Sequence, residues 1–241
     1  MESDDATPIH LGRHRWPDVR TGLTLLVPLG STEQHGPHLP LETDTLIATA
    51  VATRAAAMNR DAVLVAPTLP YGASGEHAGF PGTLSIGTAA LTNVLVELGR
   101  SATAPNGGPF ARLVFVNGHG GNHRALVDAL AILRSEGRNV ASWWPQVPDG
   151  DAHAGHTETS LLLAIAPELV QLTIGDGRTD RLRGNTEPLM SLLEAMRRGG
   201  VQAVSPTGIL GDATTANAHD GERILTALVA QLVSFLGPSP R

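Results

Sequence analysis

The chain has 241 residues, 41% of them apolar, with a formal net charge of −6 and a pI near 5.9. That size and apolar share predict one sizeable α/β domain over 1–241, and the acidic balance excludes a general attraction for nucleic acid or an anionic membrane surface, so the expected partner is small or peptidic. All 17 Lys and Arg positions are Arg, which excludes Schiff-base and P-loop lysines, and the absence of Cys excludes thiolate nucleophiles, disulfides and Cys-based metal centres. Any metal must therefore rest on His and carboxylates.

Residues 1–20 read as a polar N-terminal segment, and residues 1–8 lack the basic and apolar regions of a signal peptide. No run approaches the roughly 18 apolar residues of a membrane span, so a cytoplasmic protein is expected. Continuously apolar runs at 24–29, 62–66, 113–116 and 140–143 predict strands buried on both faces, the first stopping at Pro28. Helical spacing over 45–58, 88–103 and 123–135 alternates with them, which predicts a mostly parallel sheet between two layers of helices. Further helices are expected at 161–166, 188–198 and from Asp220, the predicted cap of the last one, with a surface turn at 105–109 and a tail at 237–241.

In such sheets ligands sit beyond the carboxyl ends of the strands. Four polar loops fall there, at 30–44, 67–83, 117–122 and 145–158. The first carries Glu33-Gln34-His35-Gly36-Pro37-His38 with Asp44 at the start of a helix. Mixed carboxylate and imidazole donors suit Zn²⁺, Mn²⁺ or Fe²⁺, and the two oxygens of Asp44 allow it to bridge two ions. The third holds Asn117-Gly118-His119-Gly120-Gly121-Asn122, with His119 projecting at a strand end and Asn122 as a candidate helix cap. The fourth holds His153-Ala154-Gly155-His156-Thr157-Glu158; with Thr157 as cap, Glu158 lies in the first helical turn, where the dipole favours a carboxylate. Taken singly, each cluster also reads as ordinary loop polarity. Glu76 and His77, in a Gly-rich stretch that could cover the site, read rather as a solvated loop, and Trp143 and Trp144 as pocket-lining candidates of which one is core.

These motifs, in this order and spacing, resemble the creatininase family of metal-dependent amidohydrolases. The resemblance implies a three-layer α/β/α fold, a homo-oligomer and two divalent metal ions per subunit, Zn²⁺ or Fe²⁺ with Mn²⁺ also suited. The implied ligands are Glu33, His35, Asp44, His119 and Glu158, with His153 as the acid–base histidine, Glu158 also catalytic, and His38 shaping the loop rather than ligating. Creatininase itself carries a metal-binding Glu where this chain has Gly121, which turns the expected substrate away from creatinine and leaves Glu158 to supply the missing carboxylate. The wording around 71–77, 151–160 and 196–201 is most similar to a peptidase branch of the family. That similarity implies a modified ribosomal precursor peptide, cut near its C-terminus to release a small dipeptide-derived intermediate of a redox cofactor. An amidohydrolase acting on a cyclic amide or a formylamino compound is the alternative.

Overall fold

The computed structural model describes residues 9–104, 108–173 and 182–237. Strands β1 (Leu23–Leu29), β2 (Val63–Val65), β3 (Phe110–Asn117) and β4 (Val140–Trp143) form a sheet in the order β2-β1-β3-β4, parallel at every pairing. Alternation of side chains across the pleat divides its residues between two cores. Leu26, Val63, Val65, Val114 and Val116 face one layer, formed by α1 (Thr43–Ala57), α4 (His156–Ile165) and α6 (Ala218–Leu236). Leu25, Val27, Leu64, Leu113 and Phe115 face the other, formed by α2 (Gly87–Ala102) and α3 (His123–Ser135). Burial on both faces is why the strands read as continuous apolar runs. Each fully buried Leu, Val or Phe contributes about 1.5–3 kcal/mol.

A smaller cluster of Leu192, Val201 and Leu210 seats α5 (Leu189–Gly199) at the edge of the strand-end rim. No helix among the described residues is long and apolar enough to cross a membrane. Residues 1–8, 105–107 of the expected surface turn, Gly175, Gly177 and 238–241 of the tail lie outside the described residues.

Several local expectations are corrected. The β1 ladder does not stop at Pro28, which pairs in register with Val116 before Leu29 meets Asn117. The Pro28 carbonyl accepts from Leu69 on the β2 side, where β2 has already ended at Val65, so the missing N–H removes nothing from the β1–β3 ladder. The last helix is capped by Asn217, whose side chain accepts from the Asp220 N–H, and not by Asp220. Thr157 does not cap α4, which starts at His156; the Asp151 carboxylate accepts from the His156 and Thr157 N–H groups instead. The polar N-terminal segment also packs on the sheet, the Ile9 carbonyl accepting from Val65 at 2.8 Å at the outer edge of β2. One of the paired tryptophans is core as expected, Trp143 in the α1/α4/α6 layer; Trp144 is half-buried against His123, and both border a shallow surface pocket beside α6, not the cavity described below.

Candidate metal centre

The loops leaving β1, β2 and β3 are stitched together by one amide. The Asn122 side chain donates to the Gly30 carbonyl and to Asn117 Oδ1, each at 3.0 Å, and accepts from the Ala73 N–H at 2.9 Å. Asn122 therefore fastens three rim loops and does not cap α3, as the sequence suggested. The first loop turns back on itself, Glu33 N–H donating to Leu41 O at 3.0 Å, and Gly36 takes a φ of 65° that favours glycine. Glu33 and His35 are thereby fully buried, and Asp44, in the first turn of α1, is 2% exposed.

Asp44 stands between two histidines. Its Oδ1 is 3.1 Å from His35 Nε2 and its Oδ2 is 3.2 Å from His119 Nδ1, while Ser31 Oγ donates to Oδ2 at 2.8 Å. Glu33 Oε2 lies 3.2 Å from the same His119 nitrogen. Glu158, in the first turn of α4, accepts from the Ala154 N–H at 2.6 Å and places Oε2 3.8 Å from His35 Nε2 and 4.0 Å from His153 Nδ1. Ala154, joining His153 to α4, has a φ of 53°, a left-handed strain for a residue with a Cβ and the kind that persists where surroundings over-determine it.

The structure thus brings together Glu33, His35, Asp44, His119, His153 and Glu158 from three segments of the sequence. It adds His77, which the sequence reading left in a solvated loop. His77 is 4% exposed, its Nε2 lies 3.2 Å from Glu33 Oε1, and its Nδ1 accepts from Gln34 Nε2 at 2.8 Å. His38 stands apart, its Nε2 2.8 Å from Thr159 Oγ1, bracing the loop against α4.

Three donor triads have their atoms within 4.8 Å of one another: Glu33–His77–His153, His35–His153–Glu158 and Glu33–His35–Asp44. The strongest indication that this cluster is built for cations is Glu33. Both its carboxylate oxygens are buried, and neither accepts a hydrogen bond despite imidazole nitrogens at 3.2 Å. A buried charge left so is costly unless a cation meets it.

The protonation pattern agrees. Burial would raise the Glu33 pKa, yet facing His119 holds it at about 2. Burial works against charge on His35, but Asp44 lifts it to about 10. His119 is likewise held well above the ordinary range, against burial, by Glu33 and Asp44. Protons on these two rings supply positive charge where the carboxylates demand it. Burial and the His35 charge keep His153 neutral; burial first, with the Asp44 and Asp151 charges, raises Glu158 to about 7 against the pull of His35.

A cavity of about 370 Å³ opens over Glu33, His119 and His153. Leu189, Leu193 and Met196 of α5, with Val201 and Leu210, give it an apolar wall, and Arg197 stands at its edge.

The class is that of an α/β enzyme hydrolysing C–N bonds. The chain belongs to the creatininase family, whose model, described as creatinine amidohydrolase, matches residues 13–236. It is 60% identical over 212 residues to the mycofactocin precursor peptide peptidase of Mycolicibacterium smegmatis, covering 85% of this chain and 81% of that protein. It is 33% identical over 234 residues to the creatinine amidohydrolase of Pseudomonas putida, covering 85% of each. Among solved structures, a manganese creatininase superimposes with a TM-score of 0.72 at 28% identity, covering 95% of this chain and 98% of the other.

Proposed function

We propose that this chain is a cytoplasmic, metal-dependent peptidase that hydrolyses the modified mycofactocin precursor peptide near its C-terminus, releasing a small dipeptide-derived intermediate of redox-cofactor biosynthesis. The 60% identity to a peptidase of that name supports the substrate, and the unpartnered Glu33 carboxylate within the imidazole cluster supports the metal. Similarity at 33% to a creatinine amidohydrolase is the weaker guide. A single catalytic domain and a homo-oligomer complete the reading.

Glu33, Asp44 and His119 would hold one divalent ion, and His35, Asp44 and Glu158 a second, with Zn²⁺, Fe²⁺ and Mn²⁺ all suited to these donors. When bound, such ions supply positive charge that acidifies a water and polarises a carbonyl. Asp44 is placed to serve both, one oxygen toward His35 and the other toward His119. His153 Nε2 lies 2.9 Å from the Gln34 backbone carbonyl and 3.0 Å from the Gln34 side-chain nitrogen; with that amide's two hydrogens given to His77 Nδ1 and the Gly208 carbonyl, the ring proton belongs on Nε2 and the Nδ1 lone pair faces Glu33 and Glu158. A neutral imidazole so held takes a proton at Nδ1 during attack on the amide and returns it to the leaving nitrogen. Glu158, its Oε2 4.0 Å from that nitrogen, stands beside the proton's path. The apolar wall from α5 receives the substrate beside the reacting bond.

The test is mass spectrometry of the modified precursor peptide before and after exposure to metal-loaded protein, beside a panel of cyclic amides and formylamino compounds. The expected result is one cut near the peptide C-terminus and no turnover of the panel. An intact peptide with a hydrolysed small amide would overturn the reading.

A further inference from the structure

Gly121 lies two residues beyond His119, and the structure leaves no room for a side chain there. A Cβ at this position would collide with the Ala73 carbonyl oxygen, Glu76 Oε1 and His119 Nε2. Glu76 therefore reaches into the space where a side chain at 121 would begin. It stands on the short turn Gly75–His77 that follows β2, far in sequence from His119. Its side chain is 30% exposed and lines the cavity, with Oε1 3.5 Å from His119 Nε2.

The other neighbours of that nitrogen are the Ala73 carbonyl at 3.4 Å and Ser74 Oγ at 3.5 Å. A carbonyl and a carboxylate can only accept, so Nε2 carries a ring proton and Nδ1 is the nitrogen left for a cation, facing Glu33 and Asp44 at 3.2 Å each. Of the three neighbours only Glu76 brings charge, and a carboxylate behind an imidazole fixes the ring and raises its basicity as a ligand. Glu158 cannot do this work, because it approaches His35 at the opposite end of Asp44.

We propose that Glu76 is a positioning residue of the metal centre, holding the His119 ring with Nδ1 toward Glu33 and Asp44 from the place that a side chain at position 121 would occupy. The inference rests on the metal-centre reading above. It also gives the two carboxylates separate tasks, Glu76 behind His119 and Glu158 beside His35.

The experiment titrates metal-stripped full-length protein with Co²⁺, following calorimetry and the visible absorption of the bound ion, for wild type, Glu76→Gln, Glu76→Ala and the exposed control Glu168→Ala. Loss of the carboxylate in Glu76→Ala is expected to weaken Co²⁺ binding about 10–100-fold and shift the absorption. Glu76→Gln, which keeps the length and one acceptor oxygen, should fall between Glu76→Ala and wild type, and the control should match wild type. Should Glu76→Ala fail to fold by circular dichroism, Glu76→Gln carries the test. Wild-type affinity and absorption in both Glu76 variants would overturn the proposal. Cobalt binding is read without peptide, so protein that binds Co²⁺ normally yet leaves the peptide uncut counts against the proposed function alone.

Discussion

Leu26 and Glu33 are seven residues apart in sequence, both with 0% exposure, and burial does opposite things to them. Leu26 sits in the middle of β1 against the α1/α4/α6 layer, and removing its side chain from water is favourable outright. Glu33 sits just past the same strand, its oxygens near three histidines and hydrogen-bonded to none, so its burial is costly unless positive charge, on the facing His119 ring or on a bound cation, meets it. The strand interior stabilises the molecule, and the rim uses that stability to hold a destabilising arrangement of charge. The difference teaches that exposure alone cannot rank these residues; what each one faces decides the sign.

Substitutions can break or sharpen this contrast. The largest effect is expected at the rim. His119→Ala or Asp44→Ala should abolish stoichiometric metal binding and lower peptide cleavage by at least about a hundredfold, a loss of roughly 3 kcal/mol or more of transition-state stabilisation. Metal analysis and mass-spectrometric rates check it, and unchanged values would remove these residues from the centre. Leu26→Ala should do the reverse, costing about 2–5 kcal/mol of stability in denaturant melts while the folded fraction keeps its metal and its turnover. Asn122→Ala crosses the boundary: stripping an amide from three buried partners should cost about 1–3 kcal/mol and also weaken metal binding, since the loops bearing His119 and Glu76 lose their tie. Asn217→Ala, which removes the cap of α6, should cost only about 0.5–2 kcal/mol and leave metal affinity untouched.

How much was legible follows the same division. The strands declared themselves because a strand buried on both faces must be an unbroken apolar run, as Leu25, Leu26 and Val27 are. The clusters that hold Glu33, His35, Asp44, His119, His153 and Glu158 were legible because each lies in a loop at the carboxyl end of a strand or in the helical turn that follows it, while the selection of these six came from the resemblance to the creatininase family. What the sequence concealed is what depends on distant partners. Asp151 caps α4 from five residues upstream of His156, and Asn122 spends its side chain on Gly30 and Ala73 rather than on the adjacent helix. Glu76 and His77 were missed because Gly72, Gly75 and the polar residues between them look like a solvated turn. The topological signal was present, since loop 67–83 falls on the same rim as the others; it was outweighed by composition, and position on the rim should have counted for more.

The amide of Asn122 also has a kinetic meaning. Its bonds to Gly30 and Ala73 span 92 and 49 residues of chain, and Gly30 reaches it only after β1 and β3 are side by side. Contacts of such sequence separation close late, because the loop entropy must be met first by strand pairing. Refolding followed by intrinsic fluorescence and by metal uptake should therefore give two clocks, with competence to bind metal rising in the slowest phase.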